Sequence, residues 1–142
     1  MRSSWTFALA VSFVGAFATR GEASAPEGRY VDGTLDGIDA VTDTKTHLIW
    51  QRAATPDASF GEAQASCATL PGAGWRLPSV SELLTIINDD GRLEESFPVL
   101  DDALWTSSPM AGVSGVSWVV VLEHGQTIGD FVDNPHGARC VR

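Results

Sequence analysis

"GWRLPSVSELLTIINDDG", residues 74–91, is the stretch that decides the fold. Trp75, Arg76 and Leu77 run into Pro78, which has no backbone N–H and biases the residue before it towards extended conformations. Ser79 and Glu82 then have the spacing of a capping box, in which a Ser oxygen and a Glu carboxylate each satisfy an orphan backbone N–H. Leu83 is placed for a hydrophobic staple. Val80, Leu83, Leu84 and Ile87 keep the i, i+3, i+4, i+7 spacing of an apolar helix face, and Gly91 suits its stop. The stretch therefore predicts a helix with a firmly fixed start, and a chain direction set by "WRLP".

Working outward, the same device announces an earlier helix. Ser59 and Glu62 form a second capping box, and Phe60, Ala63, Cys67 and Leu70 share one face, so Cys67 points inward. Pro71–Gly72 ends that helix. Upstream, Val41–Gln51 reads as a hairpin turning at Thr44–Thr46, preceded by a Gly- and Asp-rich extended lead-in over residues 24–37. Downstream, "LWTSS" (104–108) reads as a short strand. "SWVVVLEHGQTIGDFV" (117–132) folds about His124–Gly125, and "ARCVR" (138–142) closes the chain. Strand, helix, helix, then several strands predicts an α+β domain with an antiparallel sheet.

Residues 1–23 are expected to be a signal peptide rather than part of the fold. Arg2 precedes an apolar run from Trp5 to Ala18, and small-residue cleavage sites follow. At about 14 residues the run is short for a spanning helix, which needs about 20. Cleavage is expected after Ala23, because cutting after Ala25 would leave Pro26 at the first mature position. Localisation is accordingly expected to be secreted or periplasmic.

The full chain carries 9 basic and 18 acidic residues, a net charge of −9. Removing Arg2, Arg20 and Glu22 with the leader leaves 7 basic and 17 acidic, or −10. Phosphate contact needs Lys and Arg, so this balance argues against nucleic acid and against an anionic membrane surface as partners. The roughly 119 remaining residues suit one domain that would benefit from a staple. Cys67 and Cys140 are the only cysteines, and an even count in an exported chain reads first as a disulfide. A metal pair or redox pair would call for CxxC spacing, which is absent.

Taken together, "LIWQR" (48–52), "FGEAQASC" (60–67), "GWRLPSVSEL" (74–83), "LWTSS", "SWVVVLEHG" (117–125) and "RCVR" (139–142) resemble, in order, the Lcl C-terminal domain family, named from a collagen-like bacterial adhesin. The resemblance covers residues 38–142. It implies a C-type-lectin-like fold of two helices and small antiparallel sheets, with a disulfide from the first helix to the last strand. It also implies that Trp75, Arg76 and Pro78 define the fold rather than a site, and the capping box adds Ser79 and Glu82 to these fold-defining positions. Two features depart from the family: His47 stands where Gly is commoner before the "LIW" strand, and the acidic charge opposes the glycosaminoglycan binding of the founding adhesin.

No cofactor and no metal are expected. Calcium-dependent lectin motifs are missing, "DNP" (133–135) being only an echo, and His47, His124 and His136 lack metal-ligand spacing. Nothing matches GxSxG, HExxH or a P-loop. The expected function is a non-enzymatic lectin-like binding or adhesion module for a surface glycan or protein. The alternatives are a structural or interaction subunit of an envelope assembly and, third, an enzyme of unknown type on a formylglycine-oxidase-like fold. Binding residues favour irregular loops on a rigid scaffold. In "GDFVDNPHG" (129–137), Phe131, Asp133, Asn134 and His136 offer an aromatic face and hydrogen-bonding groups.

Overall fold

The computed structural model describes residues 24–100 and 102–142; the expected signal peptide, residues 1–23, lies outside them, as does Asp101. The described residues form an α+β domain. Strands β1 (Tyr30–Leu35), β2 (Ile38–Asp43) and β3 (Ile49–Gln51) make an antiparallel sheet in that order. A second sheet has the order β4-β8-β5-β6-β7, built from β4 (Thr55–Ala58), β5 (Ala103–Pro109), β6 (Val116–Val121), β7 (Gln126–Phe131) and β8 (His136–Ala138). Helices α1 (Phe60–Ala68) and α2 (Val80–Leu84) lie between β4 and β5 in the chain.

The capping boxes form as their spacing dictates. Glu62 N and Glu82 N donate to Ser59 Oγ and Ser79 Oγ, and each Glu carboxylate accepts from the backbone N–H of its Ser partner. α1 buries Ala63 and Cys67 as its stripe requires. α2 is shorter than its stripe, ending at Leu84 rather than running towards Gly91. Pairing with the segment that follows ends it. Ile87 bridges Leu93, Glu94 N donates to Ile86 O at 3.0 Å, and Asn88 Oδ1 accepts from Asp90 N and Arg92 N. This bend buries Ile86 completely and leaves Leu84 exposed. Gly91 serves the bend, at φ 79° against the backbone of His124, where a Cβ would not fit.

Two other expectations change. The lead-in contains β1, which turns into β2 through Asp36 and Gly37 at φ 52° and 84°, the left-handed pair of an Asp-Gly hairpin. Its composition hid this because only Tyr30 and Leu35 at its ends pack on the core. The second sheet is mixed rather than antiparallel: β8 pairs antiparallel with β4 but parallel with β5, Leu104 opposite Gly137. β8 reaches that place after the chain passes from β7 at one edge to a slot between β4 and β5.

Alternation along the strands puts apolar side chains on both faces of this sheet. Leu104, Val120 and Leu122 pack with Trp50, Leu83, Ile86 and Phe97. Trp105 and Val119 pack on the other face with Ala63, Cys67, Trp75 and Ala138. The final residues link the two sheets, since Val141 bridges both Trp50 and Arg76, and Arg142 exchanges backbone bonds with Ile49. Cys67 and Cys140 form the disulfide, their Cα atoms 5.4 Å apart, joining α1 to this closing segment.

Arg139 is fully buried. Its guanidinium donates to the carbonyls of Gln51, Arg52 and Pro98 and lies over the Phe97 ring. Desolvation lowers its pKa to about 10. The residue clamps the loop after β3 to the segment before β5, a part that a bidentate donor with five N–H groups can fill and Lys cannot.

Candidate ligand-binding site

Residues 132–135 carry the chain from β7, at one edge of the sheet, to β8 between β4 and β5. His136, the first residue of β8, pairs in register with Ala58 of β4, and its ring packs edge-on against Trp105, centroids 4.9 Å apart. Trp105 is itself fixed by donating Nε1–H to Ala58 O at 2.8 Å. The other side of the imidazole meets Asp130, with Nε2 2.7 Å from Oδ2. Asp130 Oδ1 accepts from Asn134 Nδ2 and from Phe131 N, each at 2.8 Å. One carboxylate thus organises the loop, and its pKa is depressed, first by the His136 hydrogen bond.

Of the four loop residues expected to bind ligand, the structure brings Asn134 and His136 together. Phe131 stands apart. It is 65% exposed, opposite Val116 in the hairpin, and alternation puts it on the other face of β7 from Asp130. Gly129 shares the Phe131 face, where Met110 and Val116 crowd it. Asp133 is exposed at the tip of the turn. Asp130 is the residue that the sequence reading missed. Its signal was the spacing D-x-x-x-N-x-H, an acceptor followed by two donors across a turn.

Beside His136 lies a groove of about 330 Å³, lined by Asp57, Asp102, Ala103, Val121, Ile128, Pro135 and His136. Its floor is apolar and its two carboxylates are exposed. Asp57 sits at φ 36°, a left-handed conformation uncommon for a residue with a Cβ. The arrangement offers an apolar surface with hydrogen-bond acceptors along one rim. Among the described residues no group of three or more His, Cys, Asp or Glu side chains could hold a metal ion, and both cysteines are engaged in the disulfide.

The residues expected to define the fold lie elsewhere and act locally. Trp75 is buried and donates Nε1–H to Pro71 O at 2.9 Å, and the Pro78 carbonyl accepts from Ser107 N at 2.7 Å. Arg76 exchanges backbone bonds with Val141 and pairs its side chain with Glu82, the capping residue of α2. These contacts tie the α1–α2 junction to β5 and to the chain end.

The model of the Lcl C-terminal domain matches residues 39–142. The chain belongs to the Lcl C-terminal domain family. The match takes in α1, α2, the disulfide, the whole five-stranded sheet and the candidate site, but begins after β1. In this member of the family β1 is nevertheless paired along its full length with β2. A search of curated proteins finds no match to the chain.

Proposed function

We propose that this Lcl-type domain is an exported, non-enzymatic recognition module on a C-type-lectin-like scaffold, binding a neutral glycan or a protein surface. The observation that carries the reading is the Asp130–Asn134–His136 network beside the apolar groove. It presents a loop held by charge-assisted hydrogen bonds on a rigid sheet edge. Such a site binds by shape and hydrogen bonding. A sugar can pack its C–H face on Ile128 and Pro135 by van der Waals contact while its hydroxyls donate to the Asp57 and Asp102 carboxylates. Family membership supports an adhesin-like role, and the disulfide agrees with an oxidising compartment.

A glycan array on the folded domain, with and without calcium, tests this reading. Binding to neutral glycans that is lost on Asp130→Ala, with the fold intact, supports it. Binding that survives the substitution moves the site away from the loop.

A second reading rests on a different surface. Val99 is 63% exposed beside Leu100, next to a groove lined by Leu93 and Leu122. Apolar side chains grouped in this way favour a protein partner in an envelope assembly. Pull-down of one envelope protein, abolished by Val99→Asp with the array blank, favours this alternative.

A further inference from the structure

Glu94 is only 6% exposed, on the bend that follows α2. Its backbone is fixed on both sides, with Glu94 N donating to Ile86 O at 3.0 Å and Phe97 N donating to Glu94 O at 2.9 Å. Its carboxylate reaches across the sequence to the first residues described. It accepts from Ser24 Oγ at 3.2 Å and from Ala25 N at 3.1 Å to each oxygen. Ser24, Asn88, Asp90, Arg92, Leu93, Glu94 and Glu95 together line a cavity of about 250 Å³. Burying a carboxylate costs several kcal/mol unless it is paired and hydrogen-bonded. A hydroxyl and an amide satisfy its lone pairs but bring no opposite charge.

Peptide cleavage at the expected place supplies that charge. Hydrolysis of the Ala23–Ser24 bond gives Ala23 a carboxylate and turns the neutral Ser24 amide nitrogen into an ammonium. The new cation arises on the residue whose hydroxyl already touches Glu94. We propose that the pocket around Glu94 is the receptor for the chain's own α-ammonium at Ser24, formed when the signal peptide is removed.

The surroundings favour a cation there. Asp90 and Glu95 line the pocket with Glu94, against the single guanidinium of Arg92. Arg29, the cation closest in sequence to Ser24 in the mature chain, is already paired with Asp43 at 3.1 Å. Capture of the ammonium would hold residues 24–28 in place immediately before β1. There Arg29 Nη2 and Tyr30 Oη donate to Thr85 O, so processing would tighten the β1–α2 contact. The inference rests on cleavage after Ala23 and is independent of the ligand-binding reading.

The test begins with N-terminal sequencing and intact mass of the exported protein, which should start at Ser24. The mature chain with a free amine is then compared with its Nα-acetylated form, each with and without Glu94→Gln, by thermal unfolding from pH 5 to 10. The free amine should melt higher by about 4 °C, the order expected for one added partly buried ion pair. A raised folded-state pKa stabilises below the unfolded value of about 7.7–8.0 and ceases to do so as pH rises through the folded value. The gap should therefore close at alkaline pH, and it should vanish in Glu94→Gln. A different mature terminus, equal melting of the two forms, or a gap that persists without Glu94 each overturns the proposal. If Glu94→Gln does not fold, acylation of the Ser24 amine decides instead. It should need a higher pH in the folded chain than in urea, and identical pH profiles overturn the proposal.

Discussion

The Arg76 guanidinium grips both oxygens of the Glu82 carboxylate, Nη1 to Oε2 at 2.8 Å and Nη2 to Oε1 at 2.7 Å. The same Oε2 accepts from Ser79 N at 2.8 Å, so one carboxylate serves the helix cap and the residue that bridges Val141. The Arg76 hydrogen bond is the main cause holding Glu82 down at a pKa of about 2. A depressed folded-state pKa contributes stability that is full above the unfolded value and lost as pH falls through the folded one. This contribution therefore fades between about pH 4.5 and pH 2. The Arg76 side chain is 50% exposed, so solvent screening limits the pair. Arg76→Ala should cost about 1 kcal/mol in urea unfolding at pH 7. It should also raise the Glu82 titration midpoint measured by NMR. Normal stability with lost ligand binding would make Arg76 a contact residue instead.

His47 takes φ 63°, two residues before β3 begins. Only Gly adopts that conformation without a Cβ penalty, so His47 is strained there. The turn is otherwise well satisfied. His47 N donates to Asp43 O at 2.8 Å, and the buried Asp43 carboxylate accepts from Lys45 N and Thr46 Oγ1. His47→Gly should stabilise the domain by about 0.5–1 kcal/mol, the relieved strain exceeding the added freedom of the unfolded chain. A lower melting temperature would show that the His47 ring contributes more than its backbone loses.

What was legible in the sequence was local. The capping boxes need only residues three apart, and the β6–β7 hairpin carries its own turn, so both could be read directly. The end of α2 could not, because Leu93 and Glu94 draw Ile86 and Ile87 out of the helix from outside the periodic window. The parallel β5–β8 pairing is non-local and leaves no periodic trace. At the candidate site, His136 and Asn134 were chosen as loop residues with hydrogen-bonding groups. Asp130 carries no such local signal, because only the returning chain gives its carboxylate Asn134 and His136 as partners.

The disulfide closes a loop between positions 73 apart. On the chain-entropy model such a loop contributes about 4 kcal/mol through the unfolded state. Non-reducing peptide mapping should recover the Cys67–Cys140 pair. Cys140→Ser, which also opens a buried site beside Trp105 and Ala138, should lower stability by about 2–5 kcal/mol. Free thiols in the oxidised, folded protein would reject the bond.

Asp130 should control the order of the β7–β8 loop. Its depressed pKa arises first from His136, then from Phe131 N and Asn134, so the loop is held above the unfolded carboxylate pKa and loosens as pH falls through the lower folded one. Asp130→Ala should speed amide hydrogen exchange at Phe131 and Asn134 while leaving Trp105 and the core protected. Unchanged exchange at those two amides would show that the turn does not depend on the carboxylate.

The last prediction concerns sulfated polysaccharide. Binding such a chain needs several free cations on one surface. The mature chain is expected to keep seven basic residues, and the structure leaves few of them available. Arg29 pairs with Asp43, Arg52 with Asp32, Arg76 with Glu82 and Arg142 with Asp36, each within 3.2 Å. Arg139 is buried under Phe97. Lys45 and Arg92 remain, and Arg92 shares its pocket with Asp90 and Glu95. Salt at about 0.15 M screens beyond roughly 8 Å, which weakens the long-range repulsion of an acidic surface without creating a basic one. The domain should therefore pass a heparin column at that salt without retention. Elution only at much higher salt, abolished by Lys45→Glu or Arg92→Glu, would show that folding had assembled a basic site from these two residues.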